Sequence, residues 1–143
     1  FSNYKSLSKD NVESVPFKVL LARSDIVSLH CPMTPDTRDM IGINELRIMK
    51  CNALLINAAR GGLVNEKALL QALDEGLIAG AGFDVLTTEP PENSHPLLNI
   101  NRPNFILTPH VAWTSDGAMQ LLAEQLISNI EEWVAGNPQN LVT

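Results

Sequence analysis

At 143 residues, with 45% hydrophobic and 18% charged side chains, the chain is long enough for one domain with a real core and too apolar to be disordered. Its formal charge of −6 argues against a nucleic-acid or anionic-membrane surface, so an anionic ligand needs a local cation. Cys31 and Cys51 fit neither a metal spacing nor a disulfide framework, and neither a secretory signal nor a membrane-length apolar run is visible, which points to a reducing cytoplasm.

Taken in order, Phe1 to Val15 is polar and reads as the middle of something longer. Pro16 to Arg23 predicts a short helix, with proline suited to its first turn. Asp25 to His30 has the composition of a strand inside a parallel sheet, and Pro32 and Pro35 stop it from continuing. Asn44 is placed to cap a second helix reaching about Lys50, with Ile43 and Ile48 as a hydrophobic staple. Ala53 to Asn57 is a short apolar run of the kind buried on both faces. Asn65 caps the next helix, whose apolar face is Ala68, Leu69, Ala72 and Leu73, and Gly76 ends it. Ile78 to Val85 is a small-residue strand, followed by a proline-rich loop from Leu86 to Pro103. Phe105 to Thr108 is the last strand. A helix from about Ser115 to Ala135 carries the stripe Met119, Leu122, Leu126, Ile130 and Trp133, closed by Gly136 and Pro138. Helix and strand alternate four times, which implies right-handed crossovers and a parallel sheet of the α/β class.

In such a sheet the strands' carboxyl ends share one edge, and ligands bind outside it. Four strand ends here carry polar residues a sheet does not need: His30 to Pro32, Asn57 to Arg60, Asp84 to Glu89, and Pro109-His110. Arg60 is a fixed cation held by Gly61 and Gly62, which tolerate positive φ, and its planar fork suits a carboxylate or phosphate. Read alone, His110 is a loop histidine, Glu89 a solvated acid and Arg60 a surface arginine in a glycine turn. Together they make a proton-handling set, because a carboxylate favours imidazolium and an arginine can hold a substrate carboxylate beside it. That describes acid catalysis on a 2-oxo acid, or the reverse on a 2-hydroxy acid. His30 is expected to be structural and His95 exposed. Cys31 reads as a small buried side chain, and Trp133 belongs to core or subunit packing.

The blocks Asn57-Ala-Ala-Arg-Gly-Gly-Leu-Val-Asn65, Ala79-Gly-Ala-Gly-Phe-Asp-Val-Leu-Thr-Thr-Glu-Pro-Pro91, Thr108-Pro-His110 and Ser24-Asp-Ile-Val-Ser-Leu-His-Cys-Pro-Met-Thr34 resemble the signatures of the D-isomer-specific 2-hydroxyacid dehydrogenases. The resemblance spans roughly residues 16 to 140, and the segment 109–113 with the Thr88-Glu-Pro-Pro91 loop is most similar to the glycerate dehydrogenase (hydroxypyruvate reductase) branch. It implies the second half of a doubly wound, Rossmann-type domain binding NAD or NADP. Residues 1–112 are then part of that domain, and 113–143 a terminal helix and tail returning toward a substrate domain. It implies that Arg60 binds and polarises the substrate, that Glu89 orients His110, and that His110 exchanges the proton. Cys31, Ala58, Ala59, Arg60, Asp84, His110 and Trp113 fall where the family lines its cofactor, and no metal is involved. A small 2-oxo or 2-hydroxy acid such as glyoxylate or hydroxypyruvate, and a homodimer of the full-length parent, follow from the same resemblance.

One departure is large. The Gly-x-Gly-x-x-Gly loop and the acidic residue about 20 positions beyond it are absent. Gly80-Ala-Gly82 lies inside a strand with no third glycine, so it is not a phosphate loop. The isolated chain is therefore expected neither to hold NAD tightly nor to turn over. Some members of this superfamily are nucleotide-sensing corepressors that can keep the same three residues, which leaves a non-catalytic binding module as the alternative reading.

Overall fold

A computed structural model describes residues 13–141, so most of the polar opening segment lies outside the described residues. The chain divides into two compact units, one running through Leu107 and the other from Thr108 onward. The first unit contains α1 (Phe17–Arg23), β1 (Ile26–Leu29), α2 (Ile43–Ile48), β2 (Leu54–Asn57), α3 (Glu66–Glu75), β3 (Gly80–Phe83) and β4 (Phe105–Leu107). The second contains α4 (Asp116–Val134).

The four strands form one parallel sheet in the order β1-β2-β3-β4. Strands added in one direction by right-handed crossovers carry their helices on a single face. The burial alternation follows that rule. Val27, Leu29, Leu55, Ala81, Phe83 and Phe105 point into a core closed by Leu21, Leu46, Leu69 and Leu73 from the helices. Each fully buried leucine there contributes about 1.5–3 kcal/mol relative to exposure. On the opposite face Ile26 is 62% exposed, Leu54 40% and Ile106 65%. Among the described residues of the first unit, the helices cover one face of the sheet.

Helix α3 follows its sequence signals closely. The Asn65 side chain accepts from Ala68 N–H at 3.0 Å, Gly76 closes the helix at φ 66°, and the four expected apolar residues are its buried face. Helix α2 differs. Its cap is Gly42 rather than Asn44, because the Glu45 carboxylate accepts from Gly42 N–H at 3.1 Å and sets the first turn two residues earlier than the asparagine could. Ile43 is then inside the helix and cannot serve as the outer half of a staple. The strands are also shorter than their apolar runs, as the 78–85 segment shows by pairing only over Gly80–Phe83.

The fourth helix-strand repeat is not a helix-strand repeat. Between β3 and β4 the chain crosses over with only a 3-10 turn at Pro96–Leu98, since Pro90, Pro91 and Pro96 remove the amides a longer helix needs. Leu97, 1% exposed, pins that turn to the core.

In the second unit the Ser115 hydroxyl accepts from Ala118 N–H at 3.3 Å to start α4, and Gly136 follows its end at φ 80°. No residue of α4 is buried, so Trp133, at 66% exposure, is not part of the core. Among the described residues no helix is long and apolar enough to cross a membrane.

Candidate active site

The register lines the strand ends up in one row. Leu29 lies opposite Asn57, Asn57 opposite Phe83, and Phe83 opposite Leu107. Cys31, the 58–60 segment and the 84–89 segment therefore leave the sheet from a common edge, as a parallel sheet's ligand edge requires.

Asn57 shapes the Arg60 turn. It is a polar side chain with no exposure, so its amide must be satisfied inside the protein. Its Nδ2–H donates to the Arg60 carbonyl at 3.0 Å and its Oδ1 accepts from Ala59 N–H at 3.2 Å. The turn is thus closed from beneath, and the exposed Arg60 side chain leaves it toward solvent while donating to the Ala59 carbonyl at 2.6 Å. A guanidinium has five N–H donors, so that bond uses only part of its fork.

The two glycines after Arg60 have different jobs. Only Gly62 has positive φ, at 81°. Gly61 is required by close approach: a Cβ there would sit 1.9 Å from the Leu86 carbonyl oxygen and 2.6 Å from Thr87 N. The arginine turn is consequently pressed against the start of the loop that carries Glu89. Within that loop the Glu89 Oε1 accepts from Leu86 N–H at 2.8 Å, curling the acid back over Leu86. Arg60 and Glu89 are therefore brought to adjoining turns on the carboxyl edge of β2 and β3.

Asp84, 5% exposed, follows directly on β3, and its N–H donates to the Asn57 carbonyl at 2.9 Å. Ala58 is exposed and Ala59 half-buried, leaving the backbone beside Arg60 approachable. These residues stand at the strand ends, where a parallel sheet of this kind takes its ligand; the Gly-x-Gly-x-x-Gly loop that would take a dinucleotide's phosphates is not in the sequence. Cys31 is half-buried, with Sγ 3.7 Å from the Met40 sulfur, which makes it a packing residue whose backbone faces the same edge.

His110 and Trp113 belong to the second unit. His110 is exposed and held at φ 58°, a left-handed conformation uncommon for a residue with a side chain. It is braced by its own N–H donating to the Thr108 carbonyl at 3.0 Å and by Trp113 Nε1–H donating to its carbonyl at 3.2 Å. Outliers of this kind persist only where the surroundings over-determine them, and they concentrate at functional sites.

Two histidines differ in their surroundings. His30 is exposed and bonded to the Ser28 hydroxyl at 2.8 Å. His95, expected to be exposed, is half-buried and pairs with Glu66 at 3.1 Å across 29 positions of sequence. Sequence reasoning also missed Asn57 as the brace of the Arg60 turn. Its signal is an asparagine closing an apolar strand just before a glycine pair, a position where a buried amide must bond to the turn above it.

The comparisons agree with this architecture. The family model for the NAD-binding domain of the D-isomer specific 2-hydroxyacid dehydrogenases matches residues 2–112. A glycerate dehydrogenase from Methylorubrum extorquens is 56% identical over 128 residues, covering 90% of this chain and 41% of that protein. A glyoxylate reductase from Korarchaeum cryptofilum is 46% identical over 132 residues, covering 92% of this chain and 39% of that protein. Among solved structures, an acyclic imino acid reductase in complex with NADPH and D-Arg superposes with a TM-score of 0.81 at 38% identity, over 96% of this chain and 44% of that one. The chain thus spans less than half the length of the proteins it matches. With a sheet, a carboxyl edge and a motif order that agree with the matched model, the chain belongs to the D-isomer specific 2-hydroxyacid dehydrogenase family, as part of its NAD-binding domain.

Proposed function

We propose that the full-length protein carrying this chain is an oxidoreductase that transfers a hydride between NAD(P)H and a small 2-oxo acid, with glyoxylate or hydroxypyruvate as substrate and the 2-hydroxy acid as product. The observation that supports it most is the level carboxyl edge, on which Gly61 packs the Arg60 turn against the loop bearing Glu89. Residues 1–112 supply the second part of the dinucleotide domain, and 113–143 return toward a substrate domain.

Arg60 takes the substrate carboxylate with its fork, which fixes the neighbouring carbonyl in one orientation. His110, three residues beyond β4 in the chain, gives a proton to the carbonyl oxygen. Glu89 orients the His110 imidazole for that transfer. When bound, a reduced nicotinamide would supply the hydride. The carbonyl π bond breaks, one C–H and one O–H bond form, and in the reverse direction His110 takes the hydroxyl proton back. Cys31, Ala58, Ala59, Asp84 and Trp113 line the cofactor. The same reading takes the protein as a cytoplasmic homodimer with neither nucleic-acid nor membrane partners, in keeping with a charge of −6.

The test is oxidation of NADH and of NADPH by the purified full-length protein with glyoxylate and with hydroxypyruvate. Turnover of either acid with either nucleotide is expected. Tight nucleotide binding by calorimetry without oxidation of NADH or NADPH in any combination contradicts the enzyme and favours the nucleotide-sensing alternative.

A further inference from the structure

The loop that carries Glu89 is tied down by a carboxylate from a different element. Glu66, the first residue of α3, uses both oxygens: Oε1 accepts from Thr87 N–H at 2.7 Å and Oε2 from His95 Nε2–H at 3.1 Å. The His95 ring is set by its other nitrogen, since Nδ1 accepts from Leu97 N–H at 3.3 Å and so leaves the proton on Nε2. Leu97 is itself buried. This is not a solvated surface pair of the kind that contributes little, because the two side chains are only 16% and 20% exposed and one contact goes to a backbone amide. Glu66 is also on a rigid base: Asn65 before it caps α3, and Asn65 N–H donates to the Ile41 carbonyl at 2.9 Å.

We infer that Glu66 is a positioning residue for Glu89. Its carboxylate grips both ends of the 87–95 segment, two residues before Glu89 and six after it, while Gly61 backs the same segment from the arginine turn. The acid then has one place to stand. The inference rests on the proposed role of Glu89, and nothing in the sequence marks Glu66 for it beyond an acid in a first helical turn, where the helix dipole alone accounts for its presence.

The experiment is a double-mutant cycle in the full-length protein, with glyoxylate or hydroxypyruvate and whichever nucleotide it oxidises. Glu66→Ala is expected to lower kcat about 10- to 100-fold, as misplacement of a catalytic group does, with KM for the nucleotide little changed. Glu66→Gln, which keeps an acceptor for Thr87 N–H, recovers part of the loss. In a Glu89→Ala background Glu66→Ala adds no more than about twofold, because the two act through one group. Amide exchange at Thr87 rises in Glu66→Ala, a readout independent of turnover. Should Glu66→Ala fail to fold, Glu66→Gln and His95→Gln complete the cycle. A full independent loss from Glu66→Ala on top of Glu89→Ala, or an unchanged kcat in Glu66→Ala where Glu89→Ala is impaired, overturns the inference alone. An unchanged kcat in Glu89→Ala removes the reading it rests on.

Discussion

Replacing His110 by alanine in the full-length protein will cut kcat for 2-oxo acid reduction by about 10²- to 10⁴-fold, the range that a positioned general acid supplies. The nucleotide dissociation constant is expected to change far less, because the other residues proposed to line the cofactor are untouched by the substitution. One complication is visible in the backbone. His110 sits at φ 58°, and alanine tolerates that conformation less well than histidine or asparagine does. His110→Asn keeps the backbone tolerance and removes the titrating ring, so it separates loss of the acid from loss of the turn. Both variants are expected to be impaired to a similar degree. Turnover unchanged in His110→Asn would exclude His110 as the proton donor.

The second large effect is on the scaffold. Gly61→Ala puts a methyl 1.9 Å from the Leu86 carbonyl oxygen and 2.2 Å from its carbon, and backbone cannot swing aside as a side-chain tip can. Relief requires the arginine turn and the Glu89 loop to part, at a cost of about 3 kcal/mol or more. The urea midpoint should fall accordingly with its slope unchanged. Gly117→Ala is the control: its Cβ meets nothing within 4 Å and its φ is not positive, so in the first turns of α4 it should be neutral or slightly stabilising. An equal midpoint for Gly61→Ala and the unchanged protein would mean the two turns are not in the contact described.

These two residues also mark what the sequence could and could not reveal. A cap, an apolar period and a terminating glycine are local signals, and α3 carries all three, so Asn65 to Gly76 was legible residue by residue. The strand ends were legible too, because short apolar runs followed by small and charged residues have few other uses in an α/β chain. Gly61 looked like Gly62, since both are compatible with positive φ. Only the backbone of Leu86, 25 positions away, distinguishes a glycine needed for approach from one needed for conformation. The Glu66–His95 tie was hidden for the same reason: 29 positions separate the partners, and neither has a neighbour that announces the other. The misplaced start of α2 was a competition between two good caps, decided by the reach of Glu45. The proline-rich loop between β3 and β4 was legible as well; only the count of four helix–strand repeats fails, since that connection supplies a 3-10 turn and no α-helix.

The most direct measurement is a crystal structure of the full-length protein with nicotinamide dinucleotide and oxamate, a carboxylate whose neighbouring amide carbonyl mimics a 2-oxo group. The Arg60 fork is expected within about 3 Å of the oxamate carboxylate, with a His110 ring nitrogen in hydrogen-bond reach of the carbonyl oxygen and the other turned to Glu89. Oxamate bound away from Arg60, or a His110 ring divided from Glu89 by packed side chains, would contradict it.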